Sequence, residues 1–503
     1  MYSHHRAPVL YHAHVEGLRQ PDVSRRHGAH ACDMVMWFER SNRRLLRTRF
    51  PHLVTVAIAI VGLIVLLGRL PVVAATTEAP SPIESKASAF FKAGEYPEVT
   101  ALYRSLPPDA TPSKEFLRLV LQSYVRLGRT DEALSIYSKL TQPGQSHDAA
   151  LLRPLALGMI TSHVRDRKEH IRIAAYSALA ELGLPETAAI LEDGLLDPSV
   201  VVRARAAEAI GKSGLAAQSG PLRRALRDAM PTVRIAAMTA LGEATATDVR
   251  QRLLDVARTE DGPESIFASA ALVRLGQSEQ LAEITSAATL PDAESRMAAL
   301  GVLGRLKRPA SLAVLAQAVY DPDPSVRAFA AGALGEFGSP DGAAPLTHAI
   351  GDESAMIRAV SAASLGKLGI KDNRPLLSAL TRDPDAHVRA SAAEGLLRLG
   401  DTSAIALVAE LARHPDPSIR GAAAQALSAS PDEEQALTIL QTLLSDRQPL
   451  PRLSAAKALR KSNDRAIPIL LQGLRDTDEA VRIAAANSLL QQLAKQPISK
   501  RRR

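Results

Sequence analysis

The stretch Asp321-Pro322-Asp323-Pro324-Ser325-Val326-Arg327-Ala328-Phe329-Ala330-Ala331-Gly332-Ala333-Leu334-Gly335 decides the fold. It begins as a short acidic turn and continues as a helix. Asp323 is a favourable N-cap because its carboxylate can accept the free N–H groups of the first turn. Pro324 fits the first helical position, where a missing N–H costs nothing. Five apolar residues fall on one face at helical spacing: Val326, Ala330, Ala333, Leu334 and Phe337.

This stretch recurs with a period close to 31 residues. Eleven units follow one another, and a marker position aligns them: Arg172, Arg203, Arg234, Ser265, Arg296, Arg327, Arg358, Arg389, Arg420, Arg452 and Arg482. The residue seven positions after the marker is always Leu or Ile, and the residue twelve before it is always aliphatic. Each unit is therefore predicted to be two helices joined by a turn. Because one pair cannot bury its apolar face alone, we expect an all-α solenoid.

The segments Asp321–Arg327 and Asp383–Arg389 resemble the Asp-Pro-x-x-x-Val-Arg pattern of HEAT-like repeats of the phycobilisome-lyase type. The resemblance covers residues 151–492 and implies an α-solenoid of about eleven 31-residue helical hairpins. At the usual spacing of packed helices, its length would be on the order of 100 Å. The resemblance indicates fold rather than function, since such repeats occur in proteins with unrelated tasks.

Residues 86–150 carry a different repeat. Phe91–Tyr103 and Val125–Tyr137 recur with an offset of 34 residues and resemble tetratricopeptide repeats. We therefore expect two tetratricopeptide-like hairpins before the solenoid. The Pro- and Ser-containing residues 76–85 are predicted to be a linker.

Both ends of the chain are basic. Residues 1–52 are predicted to be a disordered segment, with a start codon placed too early as the alternative, and residues 493–503 a basic tail. Several arginines precede an uncharged run, which is typical of a targeting segment, so residues 53–75 are predicted to be a transmembrane anchor or a signal sequence. The charge bias then indicates a bacterial inner-membrane protein with its repeats in the periplasm. The alternative is a cleaved signal and a soluble periplasmic protein.

Charge and cysteine content exclude some classes of function. The net charge is +8, but residues 1–75 contribute +6 of it, so the basic balance does not indicate a nucleic-acid partner. Cys32 is the one cysteine, so neither a disulfide framework nor a cysteine metal site is expected in the repeats.

The marker arginines invite a phosphate-binding interpretation, but an acidic row accompanies them, because Asp stands six residues before the marker in eight units. We predict a structural ladder of Asp–Arg pairs that links successive turns, formed by Asp197, Arg203, Asp228, Arg234, Asp321, Arg327, Asp352, Arg358, Asp383, Arg389, Asp476 and Arg482. Each exposed pair would contribute little energy.

A candidate protein-binding groove lies on the second helices, five residues after the marker. Its predicted residues are Glu208, Thr239, Glu394, Gln425, Lys457 and Asn487. Together with the positions nine after the marker, this row holds seven basic and five acidic residues and no aromatic one, whereas a nucleic-acid groove needs a basic stripe. The middle units carry small residues here, which suits either tight helix packing or a peptide lying close.

The sequence contains no phosphate loop, nucleophile elbow or metal motif of recognisable spacing. Nor does it contain a His followed by Glu, the pair that holds iron in HEAT-repeat hydroxylases. We therefore expect no enzyme activity, cofactor or metal. The predicted function is a non-catalytic protein–protein interaction scaffold with protein partners, held to the membrane through residues 53–75. The alternative is an enzyme subunit or chaperone of the bilin-lyase type, which cytoplasmic retention and a bound chromophore would favour.

Overall fold

The structure, a computed structural model, describes residues 81–141, 147–431 and 433–495. These residues form helices and turns and contain no β-strand. The predicted segments 1–52 and 53–75 lie outside the described residues, as do residues 496–503 of the predicted tail.

Four helices form two hairpins at the start of the described region: α1 (Pro82–Ala93), α2 (Tyr96–Arg104), α3 (Lys114–Arg126) and α4 (Thr130–Leu140). The first helix begins inside the predicted linker 76–85. Ser81 Oγ accepts a hydrogen bond from the backbone N–H of Glu84, and the Glu84 carboxylate accepts one from the N–H of Ser81. This reciprocal capping starts the helix, so residues 82–85 are helical rather than linker.

Eleven two-helix units follow. Their first helices are α5 (Ala149–Thr161), α7 (Ala188–Gly194), α9 (Gly220–Ala225), α11 (Arg250–Thr259), α13 (Gln280–Ala287), α15 (Leu312–Gln317), α17 (Ala343–Ala349), α19 (Arg374–Leu380), α21 (Ala404–Leu411), α23 (Glu433–Leu443) and α25 (Ala466–Gly473). Their second helices are α6 (Glu169–Leu182), α8 (Val200–Lys212), α10 (Pro231–Glu243), α12 (Pro263–Arg274), α14 (Ala293–Leu306), α16 (Pro324–Phe337), α18 (Ala355–Leu368), α20 (Ala386–Arg398), α22 (Pro417–Leu427), α24 (Pro449–Ala458) and α26 (Glu479–Lys495).

Unit 6 shows how the local sequence builds each unit. The Asp323 carboxylate accepts a hydrogen bond from the backbone N–H of Ser325 at 2.7 Å, and Pro324 occupies the first turn of α16. Gly338, with φ of +78°, ends the helix in the left-handed conformation that glycine adopts without strain. Val326 and Leu334 are fully buried on the face that packs against the rest of the unit. The all-α solenoid predicted from the period is confirmed.

The solenoid closes on itself, which the period does not reveal. Each second helix packs against the second helix of the next unit, and α26 of unit 11 packs against both α5 and α6 of unit 1. Lys168 Nζ lies 2.9 Å from the Glu479 carboxylate across this seam, and Arg153 donates to the backbone carbonyl of Leu493 at 2.5 Å. Within residues 81–495, the units therefore form a ring rather than an open superhelix.

The curvature follows from small residues on the second helices. These helices pack on their neighbours around the ring, whereas the first helices pack mainly on the second helix of their own unit, so the second helices form the inner wall. Gly242 on α10 faces Ala271 on α12, and a Cβ added to Gly242 would lie 2.7 Å from the Cα of Ala271. The missing side chain lets the two backbones approach closely on the inner side.

The hairpins cover the seam. Helices α3 and α4 pack on α5 of unit 1. From the same hairpin, Asp131 and Ser138 on α4 accept hydrogen bonds from Arg482 and Arg475 of unit 11. The α3–α4 hairpin thus contacts both the first and the last unit of the ring.

Across residues 81–141, 147–431 and 433–495, none of the helices combines the length and the apolar character needed to cross a bilayer. The predicted localisation, an inner-membrane anchor with periplasmic repeats, is contradicted by this finding and is corrected here. Residues 53–75, on which the prediction rested, lie outside the described residues.

Candidate functional site on the inner face of the ring

The marker arginines lie at the turns between units, and most of them bind the acidic residue of the next unit. Arg203 binds the Asp228 carboxylate through Nε and Nη2, at 2.8 and 3.0 Å. Its Nη1 donates to the backbone carbonyl of Asp197 in its own turn at 2.8 Å. The same two-sided arrangement is found at Arg172–Asp197, Arg296–Asp321, Arg327–Asp352, Arg358–Asp383, Arg420–Asp446 and Arg452–Asp476.

Three of the predicted ladder arginines have other partners. Arg234 binds Glu264, which stands one residue before the missing marker arginine of unit 4. Among the described residues, Arg389 has only backbone acceptors, the carbonyls of Asp383 and Pro384, because His414 occupies the acidic position of unit 9. Arg482 binds Asp131 of the hairpins. The last arginine of the row therefore binds outside the repeats.

Charge pairing sets the protonation of these groups. Hydrogen bonds from Arg203 hold the pKa of Asp228 below its ordinary value, although burial of the carboxylate opposes them. Arg358 lowers the pKa of Asp383 in the same way, and Arg420 that of Asp446. These carboxylates stay ionised at neutral pH and neutralise the arginines that bind them.

The six predicted groove residues do not form one groove. Glu394, Gln425 and Lys457 line a common pocket, whereas Asn487 is buried at the seam and donates to the Glu181 carboxylate at 2.8 Å. Glu208 lies on unit 2 in an ion pair with Arg205 at 2.7 Å. Thr239, on unit 3, does not line the pocket either.

A second, apolar groove of about 650 Å³ runs across the inner wall of units 4 to 7. Its floor is formed by Gly301 and Gly332, and its walls by Phe267, Met297, Phe329, Met356 and Val360. Phe329 is 45% exposed and Met356 is 70% exposed, which is unusual for large apolar side chains. A Cβ added to Gly301 would lie 2.9 Å from the Phe329 ring, so the glycine makes room for that ring.

Comparison with known proteins identifies the family. A profile described as HEAT repeats matches residues 149–211, 193–272, 313–377, 373–460 and 438–497, more than half of the chain. The chain belongs to the HEAT-repeat family. No curated protein sequence matches it.

Several solved structures resemble parts of the chain at low sequence identity. The complex of CpcE and CpcF of phycocyanin lyase from Nostoc sp. PCC7120 shares 19% identity, covering 48% of this chain and 94% of that chain, with a TM-score of 0.34. Human deoxyhypusine hydroxylase in complex with glycerol shares 20% identity, with coverages of 48% and 94% and a TM-score of 0.27. An engineered protein shares 16% identity, with coverages of 79% and 98% and a TM-score of 0.25.

The HEAT units bring together no recognisable metal centre in the part of the chain that the structure describes. No group of three or more His, Cys, Asp or Glu side chains there could hold a metal ion. A cavity of about 1170 Å³ lies between α4 of the hairpins and units 10 and 11. Thr141 and His147 also line it, so we assign it to the junction between the hairpins and the ring.

The apolar groove was not predicted from the sequence, because it lies at other repeat positions than the predicted groove residues. The predicted groove residues stand five after the marker, whereas Phe267 and Phe329 stand two after it and Met356 two before it. The signal was available: the position two after the marker is aromatic only in HEAT units 4 and 6, although this helix face points away from the core.

Proposed function

We propose that this HEAT-repeat ring is a non-catalytic protein-binding scaffold whose apolar groove receives an amphipathic helix of a partner protein. The observation that carries the proposal is the exposure of Phe329 and Met356 above a glycine floor. Clustered exposed apolar side chains mark interaction sites. A groove of this kind accepts the apolar face of a helix, and repeat rings offer the extended concave surface that such binding uses.

Two charged side chains at the rim of the groove indicate which charges a partner helix should carry. Arg305 and Glu336 stand at the same position of units 5 and 6, and both line the groove. The Arg305 guanidinium lies 5.5 Å from the centre of the Phe267 ring, and neither rim charge forms an ion pair within the described residues. A helix with an acidic residue toward unit 5 and a basic residue toward unit 6 complements them, and this complementarity would fix its direction.

The proposal can be tested by site-specific photo-crosslinking in the full chain. Benzoylphenylalanine replaces Met356 in the groove or, as the matched control, Leu196, which is 83% exposed in unit 2 but outside the groove. The crosslinked partner segment is identified by mass spectrometry and synthesised as a peptide. Calorimetric titration then measures its affinity for the purified protein.

We expect a crosslink at position 356 only, to a segment with an apolar helical face. The synthetic peptide should bind at least tenfold more weakly to Phe329→Asp and equally well to Leu196→Asp. A peptide that binds Phe329→Asp as tightly as the unaltered protein would overturn the proposal. Crosslinking of position 356 to a bound pigment instead of a protein would favour the enzyme-subunit interpretation.

A further inference from the structure

A polar pocket of about 240 Å³ forms where ring closure brings distant units together. The C-terminal ends of second helices from units 1, 8, 9 and 10 converge there. Unit 1 contributes Glu181, which the seam places beside Arg460 of unit 10 at 3.0 Å. The pocket is separate from the apolar groove, since the two share no lining residue.

Both carboxylates in this pocket are already neutralised by protein groups. Glu394 accepts a hydrogen bond from Arg398 at 2.6 Å. Glu181 accepts hydrogen bonds from Arg460 at 3.0 Å and from Asn487 at 2.8 Å. The acidic side chains therefore have no charge left to offset the remaining basic groups.

Two ammonium groups remain unpaired. Lys457 and Lys461 line the pocket, and neither lies within ion-pair distance of a carboxylate in the described part of the chain. Burial lowers the pKa of Lys461, and the charges of Arg398, Arg460 and Lys367 lower it further, against the opposing effect of Glu394. Lys461 thus lies close to three other cationic side chains, Arg398, Arg460 and Lys367.

Neutral donors complete the lining. The side chains of Gln425, Ser428 and Ser454 face the same pocket and form no hydrogen bond of their own within residues 81–141, 147–431 and 433–495. Arg398 Nε is buried there without a hydrogen-bond partner. Unpaired donors of both kinds, charged and neutral, therefore line one pocket, in which the two lysine side chains are solvent-exposed.

We infer that this pocket binds a phosphate group, either as inorganic phosphate or as the monoester of a small molecule. Two uncompensated ammonium groups match the charge of a phosphate dianion. Its several acceptor oxygens suit a mixture of ammonium, hydroxyl and amide donors. The volume exceeds that of a phosphate ion and leaves room for a small ester, while the mixed charges of the inner wall disfavour a nucleic-acid strand.

The helix ends offer a competing explanation, because lysines in the last turn of a helix also interact with its unpaired carbonyl groups. The chain supplies a control for this effect. Lys212 ends α8 of unit 2 at the same repeat position as Lys461, nine residues after the marker, but lies outside the pocket. A purely helical role predicts the same behaviour at both positions, whereas a phosphate site involves Lys461 alone.

The experiment is a calorimetric titration of the full chain with sodium phosphate and, separately, with glycerol 3-phosphate, at constant ionic strength set by sodium chloride. Circular dichroism establishes that each variant is folded. We expect saturable binding that is at least tenfold weaker in Lys461→Met and unchanged in Lys212→Met. Tighter binding of glycerol 3-phosphate than of phosphate identifies an ester as the preferred form.

Absence of saturable heat with both compounds, or equal weakening in the two lysine variants, would overturn the inference. A folded Lys461→Met protein that binds phosphate as tightly as the unaltered chain would do so as well. Phe329→Asp should leave phosphate binding intact, so the outcome here is distinguishable from failure of the proposed peptide-binding function.

Discussion

Asn487 Nδ2 donates a hydrogen bond to the carboxylate of Glu181 across 306 positions of sequence, at 2.8 Å. Asn487 is only 5% exposed, and its own amide oxygen accepts from Gln491 at 3.0 Å. This bond joins the second helix of the last unit to the second helix of the first. It therefore belongs to the seam that turns a stack of repeats into a ring.

Replacing this seam residue should destabilise the protein. Asn487→Ala removes a buried donor and leaves part of the Glu181 carboxylate unpaired, which costs about 1–3 kcal/mol in the free energy of unfolding. The matched control is Gln425→Ala, at the same repeat position in unit 9, where the side chain is exposed and the expected change is within about 0.5 kcal/mol. Urea denaturation measures both. Equal effects would argue against a structural seam.

Unit 9 lacks the aspartate that would pair with Arg389, and a substitution can supply it. In unit 9, His414 Nδ1 accepts the turn hydrogen bond from the backbone N–H of Asp416 at 3.1 Å, as the aspartates do elsewhere. Arg389 has no side-chain partner in the part of the chain that the structure describes. His414→Asp should supply a carboxylate to Arg389 and raise the free energy of unfolding by about 1 kcal/mol. The gain should vanish when Arg389 is also changed to Met. A gain that persists in the double variant would contradict the ladder geometry.

The ladder also makes the stability depend on pH. The pKa values of Asp228, Asp383 and Asp446 are lowered in the folded protein by hydrogen bonds from their arginines. Lowered folded pKa values mean that the contribution is complete above the ordinary aspartate pKa of about 3.9 and is lost as pH falls through the folded values. Denaturation of the protein and of Asp228→Asn between neutral and acidic pH tests this. Their difference in stability should shrink at low pH, and a constant difference would contradict the prediction.

Close approach of the second helices should make the inner wall intolerant of added volume. Gly242→Ala places a Cβ 2.7 Å from the Cα of Ala271, so the helices must move apart, at a cost of about 1–3 kcal/mol. Gly332→Ala is the control, because its Cβ would meet only the Val360 side chain at 3.7 Å. Alanine there should stabilise the helix by up to about 1 kcal/mol. Thermal unfolding should move in opposite directions for the two variants.

The repeat period predicts the helices and the turns well because both depend on local chemistry. Asp323 and Pro324 start a helix wherever their pattern occurs, and Val326 and Leu334 are buried by any stack of such units. The period carries no measure of the rotation between successive units, since this depends on the sub-ångström fit of pairs such as Gly242 and Ala271. Closure of the ring is therefore not readable from the sequence.

Ring closure, which the sequence does not predict, also explains where the predicted groove residues lie. In an open stack, Asn487 and Glu394 would lie in one continuous row, but closure buries Asn487 in the seam and places Glu394 in a pocket that unit 1 completes. The partner of Arg482 could not be predicted from the repeat pattern either, because Asp131 belongs to the hairpins rather than to the repeats. Contacts between residues far apart in the sequence determine where the sites lie, whereas the repeat pattern predicts only contacts between neighbouring units.

Ring closure is the central claim, and a distance between two spin labels tests it most directly. Arg167 and Thr477 are exposed and adjoin the seam pair Lys168 and Glu479 without being part of it. With Cys32 replaced by Ser, cysteines at positions 167 and 477 carry the labels, and pulsed electron paramagnetic resonance measures their separation in the monomer. We predict a single short distance. A separation on the order of 100 Å, as in an open stack of eleven units, would contradict the closed ring.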